Sequence, residues 1–444
     1  MSFTARPARA VSVAAAAALA LTLSACATDE DPADDATAAE EHEDHDHEGE
    51  DHEDHDHDEE SAAAASENAS KTPRIVATFD GGIVVLDAAS LETVAELPLD
   101  GFNRLSDAGD GRHVAVSTTG GWAVLDAATW SQAHGDHFHY YTSDPALTDV
   151  IVEAEVPGHV VPHGELATLW DDGTGTATVV EISEWTDMVE HGHVHAIDEW
   201  TAEAPHHGVA VVDEAGVLYT TVGDEESRWG AQALLDGEVI ASTDQCPGVH
   251  GETAFHTSED EELVAFGCED GVAVFHDDHV HKLSSPTDFG RIGNLFSTDG
   301  NDIVLGDYKS DPEGGLGLSE IALIDPEGET ITVVDPFDGD DATYTWRGLR
   351  RGDDGEVLVL GTDGSLRVID PATGDVTTTI PVIDAWEVPE EWQTAHPALA
   401  IVEGMAYVTD PNSGTITSVD YVGGEVYRSA EAGFAFNEVV GVTG

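Results

Sequence analysis

The chain carries 23 histidines, and their spacing is the first sign of chemistry. Near the N-terminus a ten-residue unit occurs twice, from Glu41 to Glu50 and from Asp51 to Glu60. It places His42, His45 and His47, and then His52, His55 and His57, among Asp and Glu. Neutral imidazole is a good ligand for Zn²⁺, Ni²⁺ and Cu²⁺. Three imidazoles per unit on a flexible chain can wrap one ion, and the flanking carboxylates concentrate cations around it. A solvated charged linker would need the Asp and Glu but not the repeated histidine spacing. Such a site lacks a preformed cage, so it should be weaker and less selective than a folded one.

A second set sits beside glycines: Pro162-His163-Gly164-Glu165, Pro205-His206-His207-Gly208 and Gly248-Val249-His250-Gly251-Glu252. A third set is His-x-His, in His137-Phe138-His139, His193-Val194-His195 and His279-Val280-His281, with His134, His191 and His276 nearby. Strand alternation would turn both imidazoles of each pair to one face. These pairs read as secondary or transfer sites.

The elements that must position these groups are strands. From Thr72 onward, short β-branched and aliphatic runs alternate with Asp-Gly, Gly-Gly and Asn-Ser-Gly turns, and few windows show helical period. Val-Leu-Asp at 85 and 124, Gly-Val-Ala-Val-Phe at 271 and Leu-Arg-Val-Ile-Asp at 366 mark one strand of a recurring unit. First strands are expected near Asn103, His163, His207, His250, Asn294, Arg347, His396 and Asn437; the steps from 163 to 294 are 44, 43 and 44 residues. Propeller blades of four strands take about 40–50 residues. The last unit is incomplete, and Arg74–Leu97 can supply its three missing strands. The expectation is an all-β, eight-bladed β-propeller over residues 73–444, closed by both termini, with seven blades as the alternative.

In a propeller the first strand of each blade lines the central channel, so equivalent residues of adjacent blades converge. That points to His163, His207 and His250 as a ligand set, with Glu165 or Glu252 as a fourth group. His206 is a neighbour, and His396 holds the same repeat position in a distant blade. Three imidazoles plus an acidic or water ligand suit four-coordinate zinc.

Residues 1–25 read as a signal peptide: Arg6 and Arg9 precede an apolar run from Val11 to Leu23. Leu23-Ser24-Ala25-Cys26 resembles a bacterial lipobox, which implies a lipid on Cys26 and an anchor on the outer face of the plasma membrane. Residues 26–72 hold almost no large apolar side chains and are expected to be a disordered linker. With Cys26 lipidated, Cys246 and Cys268 remain; in an oxidising compartment they read as one disulfide, the alternative being two buried thiols. The formal net charge of −75, from 90 acidic residues against 15 Lys and Arg, argues against nucleic acid as a partner.

With the export signal, the acidic histidine stretch and the propeller pattern goes the motif Cys246-Pro247-Gly248-Val249-His250-Gly251-Glu252, followed by Phe266-Gly267-Cys268-Glu269-Asp270-Gly271. In these the chain resembles the extracytoplasmic zinc metallochaperones of the Azt zinc ABC-transport system. The resemblance implies a zinc carrier that passes its ion to the transporter's solute-binding protein; transfer by ligand exchange needs no enzymatic activity, and a monomer is expected. The competing classes are a propeller hydrolase or lactonase and an interaction scaffold. A lactonase would want an oxygen-rich Ca²⁺ site, and a scaffold leaves the repeated histidines without a purpose.

Overall fold

The structure is a computed structural model, and it describes residues 65–444. Cys26 and the histidines at 42, 45, 47, 52, 55 and 57 lie outside the described residues. No helix among the described residues is long and apolar enough to cross a membrane.

Eight four-stranded antiparallel sheets form the blades of a β-propeller. In blade 1 the C-terminal strand Val439–Val442 pairs with Arg74–Phe79, which continues into Gly82–Asp87 and Thr93–Pro98. The two termini thus close the ring in one sheet, as the incomplete last unit predicts. The first strands of the other blades are Leu105–Asp107, Pro157–His163, Ala210–Val212, His250–His256, Leu295–Phe296, Leu349–Arg351 and Ala398–Val402. Seven of the eight predicted starts fall within three residues of these. The exception is His163, which ends its strand instead of opening it.

Each sheet is buried on both faces between neighbours, so inner strands such as Arg74–Phe79 and Gly82–Asp87 are near-continuous apolar runs. Core packing divides accordingly into eight apolar clusters, one per blade interface. Val76, Val85, Val114 and Leu125 join blades 1 and 2, and Ile75, Leu86, Ala400 and Ile416 join blade 8 back to blade 1. The smallest lies between blades 3 and 4, where only Trp170, Ala177 and Ala210 are fully buried. His206 completes that interface, with its ring 5.0 Å from the Trp170 ring. A buried Arg347–Glu438 ion pair at 2.8 Å ties blade 7 to the closing segment.

Blade 2 departs from the repeat. Between its third strand, Gly121–Asp126, and its outer strand, Ala146–Glu153, a hairpin is inserted, formed by Thr129–His134 and His137–Thr142. The short strand Ser66–Asn68 adds to the hairpin's edge, giving a separate three-stranded sheet. His137 and His139 therefore stand on this insertion and not on an outer blade strand. Its turn is Gly135-Asp136, with positive φ (64°) at Gly135; the His-x-His spacing marks a strand here but does not show that it is inserted ahead of the outer one.

Candidate metal centre

Residues immediately ahead of the first strands gather at one mouth of the central channel. There Arg104, Gly158, His207, His250, Arg291, Trp346 and Trp392 line a cavity of about 530 Å³. Residues at the far ends of the same strands, including Asp107, His163, Ala254, Ser297 and Arg351, line another cavity at the opposite mouth.

At the first mouth His159, His207 and His250 each offer a ring nitrogen, all within 4.8 Å of one another. Ring centroids are 5.4 Å apart for His159 and His207, 5.5 Å for His159 and His250, and 5.1 Å for His207 and His250. The Nε2 atoms of His207 and His250 face each other at 3.1 Å. Their outer nitrogens are both engaged: His207 Nδ1 lies 2.6 Å from Asp172 Oδ2, and His250 Nδ1 donates to the Gly293 carbonyl. A carboxylate and a carbonyl only accept, so the hydrogen-bond network places the proton of each neutral ring on Nδ1. Two Nε2 lone pairs then point at one another, which is repulsive unless a cation lies between them. A tetrahedral zinc with bonds of about 2.0–2.1 Å would separate its ligand nitrogens by about 3.3–3.4 Å. Carboxylate and carbonyl partners behind ligating imidazoles are the usual way such rings are aimed.

Burial prepares the rings for a metal. Desolvation holds His250 down to about 3, reinforced by His207, Arg291 and Arg228. The same cause, with His250, Arg104, His207 and Arg228, holds His159 well below the ordinary histidine range. Both rings are neutral at neutral pH, the form that ligates. Glu252 lies behind His159, its Oε2 3.8 Å from Nδ1, and desolvation raises its carboxyl to about 7.

Local backbone chemistry places His250. The sheet register shifts between His250 and Glu252, making Gly251 a bulge residue with φ +63°. A Cβ there would meet the Gly293 carbonyl oxygen at 2.6 Å, the same oxygen that accepts from His250. Bulges beside sites re-aim side chains in this way. The segment is also cross-linked: Cys246 and Cys268 form a disulfide, with a Cα–Cα distance of 5.0 Å. Cys246 lies four residues before His250, and Cys268 ends the strand that pairs with it.

Of the sequence-derived trio, the structure brings His207 and His250 together and sets His163 apart. His163 Nε2 lies 2.6 Å from Glu262 Oε1, and its ring is 6.0 Å from that of His256, at the opposite mouth. His159 takes its place, four residues earlier on the same strand. The nearly equal 44-residue steps aligned the end of one first strand with the beginnings of two others. Glu165 lines a separate cavity with His163 and Glu214.

His206 and His396 are packing residues. Each directs Nδ1 to a carbonyl two residues back, Ala204 at 3.0 Å and Thr394 at 2.7 Å. His206 Nε2 lies 3.0 Å from Thr221 Oγ1, and His396 stacks on Trp386 at 6.1 Å. Of the paired histidines, His134, His137 and His139 form a second three-histidine group on the hairpin. His195 joins Glu184 and Asp187 at the helix Trp185–His191, with His193 Nε2 2.9 Å from its own Nε2. His279 is exposed beside Asp278, and neither it nor His281 belongs to a three-ligand group among the described residues.

Together these features define a β-propeller with three imidazoles converging at one channel mouth, a group that could hold a metal ion. The chain is AztD-like: it is 24% identical over 369 residues, 78% of this chain and 80% of the relative, to a Citrobacter koseri protein named zinc chaperone AztD. The crystal structure of Citrobacter koseri AztD superimposes with a TM-score of 0.71 at 21% identity, over 84% of this chain and 99% of that one. The apo structure of the same protein gives 0.68 at 21% identity, over 84% and 98%. No family model matches the chain.

Proposed function

We propose that this protein is an exported zinc metallochaperone, held to the outer face of the plasma membrane by a lipid on Cys26. It holds zinc at His159, His207 and His250 and passes it to the solute-binding protein of a zinc ABC transporter. The observation that carries this reading is the pair of Nε2 lone pairs of His207 and His250, aimed at each other at 3.1 Å with both Nδ1 atoms engaged. The resemblance to a protein named zinc chaperone supports the choice of metal and of role.

The site is suited to release as well as to binding. Three imidazoles leave a fourth zinc position for water or an incoming ligand, while Glu252 stands behind His159 and outside the converging group. His207 is the most open of the three, its side chain 43% exposed against 18% for His159. Exchange would begin there, with a ligand of the docked partner replacing His207 while the two deeper rings still hold the ion. Arg104, Arg228 and Arg291, in a chain with only 15 Lys and Arg, surround this centre. Behind burial as the main cause, their charge helps hold His159 and His250 in the neutral form, and it tempers the hold on a dication. The N-terminal histidines capture zinc weakly and at high local concentration, and deliver it to the preorganised site. None of these steps is a chemical reaction, so no enzymatic activity is required.

The test is a transfer experiment. The zinc-loaded chain is mixed with the metal-free solute-binding protein, and zinc in each is measured after separation. Zinc should move to the partner faster than it appears on a small chelator that competes for free ion. Transfer no faster than release to that chelator would overturn the proposal.

A further inference from the structure

The hairpin inserted in blade 2 carries a second convergence of imidazoles, built on elements the propeller repeat does not supply. His134 and His137 face each other across its two-residue turn, and His139 lies two residues further along the second strand. His139 Nε2 is the focus: His134 Nδ1 and His137 Nε2 each lie 3.1 Å from it. The ring centroids are 4.9–5.3 Å apart. Behind the focus, His139 Nδ1 lies 2.7 Å from Glu67 Oε1, and His137 Nδ1 lies 3.3 Å from Asp136 Oδ1.

The tautomers follow as they do in the channel. Facing carboxylates, the Nδ1 atoms of His139 and His137 carry the protons. Both Nε2 atoms then present lone pairs to each other at 3.1 Å. His134 Nδ1 approaches the same His139 lone pair. One lone pair can accept one donated hydrogen from His134, but with these tautomers no donor among the described residues satisfies the contact between His137 and His139. A divalent cation satisfies all three nitrogens at once, at a spacing close to the about 3.3–3.4 Å of tetrahedral zinc ligands. Glu67 would then stand behind a ligating imidazole, where a carboxylate fixes ring orientation and raises ligand basicity.

We infer that His134, His137 and His139 form a second zinc site, with Glu67 as the positioning residue behind His139. The site is separate from the channel centre and shares no residue with it. Its place in the chain gives it a use. Glu67 belongs to the strand Ser66–Asn68, which pairs only with the hairpin. His57 precedes Glu67 by ten residues, a span of at most about 35 Å when fully extended. A site so tethered receives ions from the N-terminal histidines at high effective concentration. That use as a station on the way to the channel rests on the chaperone reading; the metal site itself does not.

The test is carbethoxylation of histidines in the full chain, read residue by residue by mass spectrometry with and without added zinc. Zinc should protect His134, His137 and His139 at least tenfold, and should do so equally in the channel variant H207A/H250A. His139→Ala should abolish protection of His134 and His137 together, and Glu67→Gln should raise the zinc concentration needed by roughly 10–100-fold. The hairpin stands outside the blade cores, so unchanged thermal unfolding of these variants checks that the fold is kept. Equal modification of the three rings with and without zinc would overturn the site, as would protection of His134 and His137 that survives His139→Ala. Failure here with protection retained at His207 and His250 leaves the channel centre standing; protection at the hairpin alone would remove the channel centre and keep this site.

Discussion

His159 and His163 stand four residues apart on one strand of blade 3, and they open onto opposite mouths of the channel. The first belongs to the three-imidazole centre; the second is paired with Glu262. Alanine at His159 should therefore weaken tight zinc binding by about a hundredfold or more, as expected for losing one of three ligands. Alanine at His163 should change it by less than about threefold. Competition against a chelator of known affinity measures both, and equal effects would show that the strand has been assigned to the wrong mouth.

Asp172 touches no metal in this arrangement, yet it orients His207 through a 2.6 Å contact to Nδ1. Asp172→Asn keeps the shape but presents an amide in place of a charged acceptor. Zinc affinity should fall by roughly 10–100-fold, with the fold unchanged by circular dichroism. An unaltered affinity would mean that His207 is held by something else.

The disulfide closes a loop with a sequence separation of 22 residues and frames the strand that opens with His250. Its removal by C246S/C268S should lower stability by roughly 3 kcal/mol, measured by urea unfolding without reductant. Because the bond holds the segment leading to His250, zinc affinity should drop as well. A variant equally stable but weaker in zinc would show that the cross-link serves the site and not the fold.

His396 gives a pH signature unconnected with metal. Burial, with Arg347 nearby, holds it down to about 4, against about 6.5 for an exposed histidine. Between those values the unfolded chain binds a proton that the folded one refuses, so stability present above pH 6.5 is lost as pH falls towards 4. The loss approaches about 3 kcal/mol at the lower end. In metal-free protein, His396→Gln should be less stable than the parent at pH 7 and should lose less on going to pH 4.5, as read from urea midpoints. Parallel losses in the two proteins would contradict this.

Much of the architecture was legible in the sequence because blades repeat. Asn103, Asn294, Arg347, His396 and Asn437 each mark a first strand to within three residues, since turn residues and aliphatic runs recur at blade spacing. Ring closure was legible from the missing strands of the last unit. The disulfide followed from an even pair of cysteines once Cys26 was assigned to a lipid. His159 was not legible, because spacing alone does not say whether a histidine opens or ends its strand. Here the register irregularity between Pro157 and Val160 lets the chain enter the blade earlier than the period suggests. Asp172 was also invisible, since its partner lies 35 residues away across a blade boundary. The hairpin was concealed because the alternation of His137 and His139 marks a strand without saying whether that strand is the blade's outer one or an inserted one.

The central claim is that zinc sits between His159, His207 and His250, and anomalous diffraction at the zinc edge from crystals of the zinc-loaded protein tests it most directly. An anomalous peak should lie about 2.0–2.1 Å from His207 Nε2, His250 Nε2 and a ring nitrogen of His159, and it should vanish in crystals of H207A/H250A grown with the same zinc. A zinc-loaded crystal with no peak at this mouth, or with its strongest peak beside His163 and Glu262, would contradict the assignment.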